Sequence, residues 1–304
     1  AVTLFDADLD GDLDLMIGSS GESYDLRRGE DKLLLNDRKQ RFVPGAPDAL
    51  DGAWNTFGTA IAADFDGDSR IDLVRPGLPT ARLSFGRATG KFDNAGRRTV
   101  ASTSVETRPD DLDGDAVPEI IMDELVFDAQ GCLLSPFADF MYTDVGLGLM
   151  SAVADVDVDG LPDLVRHNRI AGWDAEAEMW VDKPWFVASE NHHAGHIGIA
   201  DVGLYSDIPG GMVAELPEVV VVSASVPDAP SEDDGHIRVQ SLTGEVVWGP
   251  FELYHQGGQF GGRGGPPTIS DFDGDGLVEF AAAGASFFGV YDPDCVPEPD
   301  PRRP

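Results

Sequence analysis

The stretch Asp271-Phe272-Asp273-Gly274-Asp275-Gly276-Leu277-Val278-Glu279 carries acids at its positions 1, 3, 5 and 9, and no other feature constrains the chain as tightly. Alternating carboxylates turned toward one point suit a hard cation, which takes oxygen ligands in a flexible shell. The pattern recurs along the chain. One copy is Asp6, Asp8, Asp10 and Asp14, with Asp12 inside it, and the next is Asp64, Asp66, Asp68 and Asp72. Two more follow, at Asp111, Asp113, Asp115 and Glu119 and at Asp155, Asp157, Asp159 and Asp163. A further copy is degenerate, opened by Asp201 and closed by Pro217-Glu218 after an inserted segment.

Short apolar runs flank the loops. Val2-Thr3-Leu4-Phe5, Thr59 to Ala63, Met150 to Ala154 and His196 to Ala200 stand in front. Leu13 to Ile17, Ile71 to Val74, Glu119 to Met122 and Val219 to Val222 stand behind. Runs of this length, rich in β-branched residues and bounded by Gly and Asp, read as strands. The loop is therefore a hairpin connection; an EF-hand would need helices on both sides and its last acid three residues further on.

The opening acids fall at 6, 64, 111, 155, 201 and 271, a period of roughly 50 residues that accommodates four strands per unit. The fold class expected is all-β: a β-propeller of four-stranded blades over residues 1–294, six repeats being detectable and a seventh blade requiring flanking sequence. Residues 295–304 form a Pro-rich tail. In the first unit the pattern places strands near 1–6, 13–18, 32–36 and 41–44. Outer strands are expected at 81–86, 124–128, 131–134, 178–181, 185–188, 236–240 and 245–248, and the sixth unit, with strands at 280–283 and 287–291, looks incomplete. With 36 Gly and 21 Pro and no sustained helical period, long helices are not expected.

The formal charge is −34, from 55 acids against 21 bases, and more than two fifths of those acids lie in the loops. A halophilic surface would explain the charge but not the nine-residue spacing. Nucleic acid is not expected as a partner, because its phosphates would be repelled. Without a cation the clustered carboxylates repel one another, so folding and ion binding should be coupled.

Loop signature and spacing together resemble the FG-GAP/VCBS repeats of integrin-α-type β-propellers, in which Asp-x-Asp-x-Asp-Gly-x-x-Asp joins the first two strands of a blade. The resemblance spans almost the whole chain. It implies about five Ca2+ sites, held by side chains at positions 1, 3, 5 and 9 and by the position-7 carbonyl of Asp12, Arg70, Val117, Leu161 and Leu277. An oxygen-only shell suits calcium better than zinc, which favours His and Cys. Position 6 is Gly11, Gly160 and Gly276 in three loops but Ser69 and Ala116 in two, which strains those turns if the backbone there is left-handed. The degenerate loop has Gly203 at the third position, so it is expected to be empty or rebuilt by Asp207.

Other residue groups have plainer readings beside functional ones. His192, His193 and His196 cluster before the degenerate loop and read as a connection between repeats rather than a transition-metal site. Trp173, Trp180 and Trp185 read as packing between repeats before they read as a platform for sugar. Gly257 to Gly265 lacks the Lys-Ser/Thr of a phosphate loop and reads as a flexible connection, with Arg263 offering an anion contact. Cys132 reads as a small buried hydrophobe, and Cys295 lies in the tail. No catalytic residues can be singled out.

The expected function is a secreted or cell-surface binding and adhesion module for a protein or carbohydrate ligand, with structural calcium. The alternatives are a polysaccharide lyase or hydrolase and a structural filament subunit. No apolar stretch is long enough to span a membrane, and the first residues already read as a strand, so the chain is expected to be part of a larger polypeptide.

Overall fold

A computed structural model describes residues 2–18, 31–39, 41–50, 60–76, 80–87, 90–93, 99–101, 108–122, 125–135, 151–188, 195–202, 216–223, 235–253, 264–284 and 288–292. All regular structure among them is β. The first sheet is β1 (Val2–Phe5), β2 (Asp14–Ile17), β3 (Lys32–Asn36) and β4 (Phe42–Pro44), paired in chain order. The second is β5 (Ile61–Ala63), β6 (Asp72–Arg75), β7 (Thr80–Arg87) and β8 (Lys91–Asp93), with β9 (Thr99–Ala101) also pairing β7. The third has three strands, β10 (Arg108–Asp110), β11 (Glu119–Met122) and β12 (Leu125–Phe127). The fourth has β13 (Ala152–Ala154), β14 (Asp163–Arg166), β15 (Arg169–Asp174) and β16 (Met179–Asp182). β17 (Gly195–Ala200), β18 (Glu218–Ser223), β19 (His236–Gln240) and β20 (Val246–Glu252) make the fifth. β21 (Thr268–Ser270), β22 (Glu279–Ala283) and β23 (Phe288–Tyr291) make the sixth.

Each sheet is an antiparallel meander like a propeller blade, and each acidic loop joins its first two strands. The register makes that placement strict: Phe5 faces Asp14, Ala63 faces Asp72, Asp110 faces Glu119, Ala154 faces Asp163, Ala200 faces Glu218 and Ser270 faces Glu279. The closing acid of every loop is thus the first residue of a second strand.

The chain divides into two compact units, Ala1–Met141 with Asp174–Trp180, and Tyr142–Trp173 with Val181–Pro304. In the first, Phe5, Met16 and Leu33 meet Ala60, Leu73 and Phe92 in one cluster, and Phe65, Val74 and Leu83 meet Ile120, Met122 and Phe127 in another. Leu73 and Val74 are adjacent on β6 and point to opposite faces, so both faces of this sheet are covered. The second unit repeats the arrangement. Val219 and Val221 of β18 pack with Val156, Val165 and Ile170, whereas Val220 and Val222 pack with Phe280 and Ala282. A strand buried on both faces reads as a continuous apolar run, which is why Val219 to Val222 does not alternate.

Three expectations for outer strands need correction. Residues 131–134 form no strand: Leu133 makes an isolated bridge to Phe127, while Asp128 draws the chain into a turn by accepting the N–H of Gln130 and Cys132. The outer hairpin of the fourth sheet is β15 and β16, one strand earlier than expected, because Arg169–Asp174 is itself buried and apolar at its centre. Residues 185–188 are not a strand; Trp185 and Phe186 pack as an irregular segment on the Val156 cluster, and the Val187 N–H bonds Thr243 O at 3.1 Å. Among the described residues the sixth sheet, like the third, has three strands.

Phe65 is fully buried, so Phe65→Ala should cost about 3–5 kcal/mol, read as a lowered urea midpoint. Val187→Ala, at a site 70% exposed, should change stability by less than about 0.5 kcal/mol.

Candidate metal centre

The acidic loops are built by their own carboxylates. The position-9 acid accepts the N–H of the position-2 residue in all six loops: Ala7 to Asp14 (2.9 Å), Phe65 to Asp72 (2.9 Å), Leu112 to Glu119 (2.8 Å), Val156 to Asp163 (3.0 Å), Val202 to Glu218 (3.1 Å) and Phe272 to Glu279 (2.5 Å). Position 1 gathers two N–H groups from across the turn. Asp6 takes those of Asp10 and Gly11, Asp64 those of Asp68 and Ser69, Asp111 those of Gly114 and Ala116, Asp155 those of Asp159 and Gly160, and Asp271 those of Gly274 and Gly276. Position 5 accepts the N–H of position 7, as Asp115 does from Val117 at 2.7 Å and Asp275 from Leu277 at 2.8 Å.

This folding needs a left-handed backbone twice. Position 6 has φ of +89° at Gly11 and Gly160 and +96° at Gly276, and Ser69 and Ala116 follow at +66° and +69°, as the sequence implied. Position 4 does the same, which the sequence reading missed: Gly67, Gly114 and Gly274 lie at +74° to +85°, and Leu9 and Val158 at +61° and +58°. Glycine at three of the five fourth positions was the signal. The side chains of Leu9 and Val158 are exposed, and a β-branched residue is strained at positive φ.

The carboxylates converge unequally. Asp271, Asp273, Asp275 and Glu279 bring one oxygen each to within 4.8 Å of one another. Asp6, Asp8 and Asp10 do so in the first loop and Asp111, Asp113 and Asp115 in the third, leaving out position 9. In the second and fourth loops the groups are Asp64, Asp66 and Asp72, and Asp155, Asp157 and Asp163, leaving out position 5. There Asp68 pairs with Arg70 at 2.5 Å and Asp159 with Lys183 at 2.8 Å. In the first loop Arg38 reaches Asp12 at 2.6 Å and Asp10 at 3.4 Å. The third and sixth loops make no ion pair with a base among the described residues.

Three oxygens show that these shells are incomplete. Asp8 Oδ1, Asp157 Oδ1 and Asp163 Oδ1 are buried and accept no hydrogen bond, a costly state for a carboxylate oxygen unless a cation faces it. Burial pushes the closing acids up: Asp72 from 3.8 to about 6, Glu119 from 4.5 to about 7 and Asp163 from 3.8 to about 6. Burial and then the neighbouring Asp10 and Asp14 charges raise Asp8 as well. An oxygen-only cluster with this much uncompensated charge has the chemistry of a hard-cation cage. Asp201 and Glu218 of the degenerate loop join no such group among the described residues, and Gly203 and Asp207 lie outside them.

The remaining candidates fall away from this chemistry. Trp173 and Trp180 are buried and Trp185 is half-buried, so they pack rather than offer an open stacking face. His196 lies on β17 with its pKa lowered by burial, and His192, His193, Gly257 to Arg263 and Cys295 lie outside the described residues. Cys132, expected to be buried, is free and exposed, because it sits in the turn that Asp128 closes.

Residues 6–75 match the FG-GAP-like repeat. That segment carries an FG-GAP-type repeat. No curated protein matches its sequence. Among solved structures, the chain resembles the rhamnogalacturonan lyase YesW, with 16% identity and a TM-score of 0.53 over 96% of this chain and 55% of that one. It also resembles the V. cholerae biofilm matrix protein Bap1, with 16% identity and a TM-score of 0.51 over 81% of this chain and 38% of that one. An Agrocybe aegerita lectin described as recognising non-reducing terminal N-acetylglucosamine matches at 16% identity and a TM-score of 0.50, over 93% of this chain and 74% of that one. At these identities the likeness concerns the fold. The chain spans about half or less of the length of Bap1 and of the lyases YesW and YesX. Among its described residues no helix is long and apolar enough to cross a membrane.

Two predictions follow from the loop geometry. Val158→Gly should stabilise the chain by about 1 kcal/mol, seen as a raised melting temperature, because glycine adopts positive φ without a steric penalty. In chelator, stability should fall as pH rises from about 4 to about 8. An acid whose folded pKa is raised favours the fold when protonated; that contribution is full below the unfolded value and is lost through about 6 for Asp72 and about 7 for Glu119. Asp72→Asn and Glu119→Gln should flatten the slope.

Proposed function

We propose that the chain is a calcium-rigidified β-propeller acting outside the cell as a binding or adhesion module for a carbohydrate or protein ligand. One observation carries the calcium part: in five loops, three or four carboxylate oxygens gather within 4.8 Å. The unsatisfied oxygen of Asp8 supports it. The residues that would hold the ion are the acids at positions 1, 3, 5 and 9 and the carbonyls of Asp12, Arg70, Val117, Leu161 and Leu277. Calcium, when bound, supplies positive charge and oxygen coordination and takes no part in bond-making. The chain's own residues do the rest: position-1 and position-9 carboxylates hold the loop backbone in shape, and left-handed residues at positions 4 and 6 turn it.

Matrix and carbohydrate-active proteins among the structural neighbours support an extracellular setting and a glycan or protein ligand. The ligand would meet variable loops rather than the acidic ones, since connecting segments on a rigid scaffold are where specificity usually resides.

Calcium at millimolar concentration should stabilise the chain by about 1–2 kcal/mol per filled site of extracellular affinity, and chelation should reverse the gain. Asp273→Asn with Asp275→Asn should remove one ion from the stoichiometry. An unchanged melting temperature after exhaustive chelation would sink the calcium reading. A glycan array and a turnover assay on rhamnogalacturonan, each with calcium and with chelator, separate the functions: retention without cleavage supports a binding module, and cleavage would replace it with an enzyme.

A further inference from the structure

In the first two loops the second oxygen of the closing carboxylate takes a backbone N–H from the third strand. Asn36 donates to Asp14 Oδ1 at 2.7 Å and Gly86 to Asp72 Oδ1 at 2.7 Å. The fourth loop is wired differently. Trp173 donates its N–H to Pro162 O at 2.9 Å, and Asp163 Oδ1 instead faces Lys183 Nζ at 3.0 Å. The same ammonium lies 2.8 Å from Asp157 Oδ2 and 2.8 Å from Asp159 Oδ2.

Lys183 is seated rather than draped over the surface. Its side chain is 12% exposed, and those of Asp157 and Asp163 are 9% and 0% exposed. Of the ammonium's donors, two go to Asp157 and Asp159, and Asp163 Oδ1 stands beside it as an ion pair. Burial works against its charge, but the attraction of Asp157, Asp159 and Asp163 outweighs burial and holds its pKa above the usual 10.5. The backbone delivers it, since the Lys183 N–H bonds Ile170 O at 2.9 Å just beyond β16.

Gly172, opposite Asp163 in register, leaves the passage open. A Cβ there would lie 2.8 Å from Lys183 Cε and 3.2 Å from Nζ. The arginines of the other loops are different: Arg38 and Arg70 are 56% and 37% exposed and touch only acids at positions 5 and 7.

We infer that Lys183 is a tethered cation that fills the fourth loop, holding it folded without metal and competing with divalent ions for Asp157, Asp159 and Asp163. This rests on reading the acidic loops as cation cages and refines it: one of the five is served by the chain itself. The fourth loop would then keep its shape where calcium is scarce, while the third and sixth, with no ion pair to a base among the described residues, would not.

Hydrogen exchange on the full chain, in chelator and in about 5 mM calcium, tests the assignment. In chelator the amides of Val156, Asp159, Gly160 and Leu161 should stay protected, while those of Gly274, Asp275, Gly276 and Leu277 should exchange about tenfold faster than with calcium. Lys183→Gln should speed the fourth-loop amides about tenfold in chelator and make them respond to calcium. Equal exchange of that loop in Lys183→Gln and the parent protein in chelator would overturn the inference, as would a parent fourth loop as calcium-responsive as the sixth. If no loop responds to calcium in either protein, the calcium reading fails, while the comparison in chelator still decides the role of Lys183. Should Lys183→Gln not fold, the contrast between the fourth and sixth loops of the parent protein decides it.

Discussion

The hydrogen bond from the position-2 N–H to the position-9 carboxylate is the interaction on which each sheet depends. It ties the start of the acidic loop to the first residue of the second strand and thereby fixes where β1 and β2, or β17 and β18, begin to pair. The acceptor is buried among apolar side chains, and its other oxygen reaches the third strand in the first two sheets. One side chain therefore organises three strands. Its cost is a carboxyl group held in poorly hydrated surroundings, which accounts for the raised pKa values of Asp72 and Glu119.

Packing extends the same logic outward. The second strand is the best-buried element of most sheets, and β6 and β18 send successive residues to clusters on opposite faces. In each unit the middle sheet is covered on both faces by its neighbours, and its stability is inseparable from theirs.

Much of this was legible in the sequence because spacing encodes it. The nine-residue acid pattern located every first hairpin, and apolar runs such as Val219 to Val222 marked the second strands. First strands without an apolar run left little trace: β10 reads Arg-Pro-Asp and β21 reads Thr-Ile-Ser, and both are defined by their partners across the loop. Outer strands were least legible: Gly131 to Leu134 has strand-like composition, but the Asp128 turn leaves it one bridge to β12, and Trp185 to Ala188 packs as an irregular segment. The roles of the acids were only half visible. Spacing showed that they converge, but not that position 1 spends both oxygens on backbone N–H groups, nor that a lysine some twenty residues downstream reaches into the fourth loop.

The degenerate loop carries a wider consequence. Glu218 still accepts the Val202 N–H at 3.1 Å, although it joins no group of converging acids among the described residues. The hydrogen bond that shapes the hairpin is thus separable from the convergence of acids at the loop. A lineage can discard or regain an ion site by single acid replacements while the hairpin beneath it persists, so repeats of a common architecture are free to drift toward different dependence on the ionic composition of their surroundings.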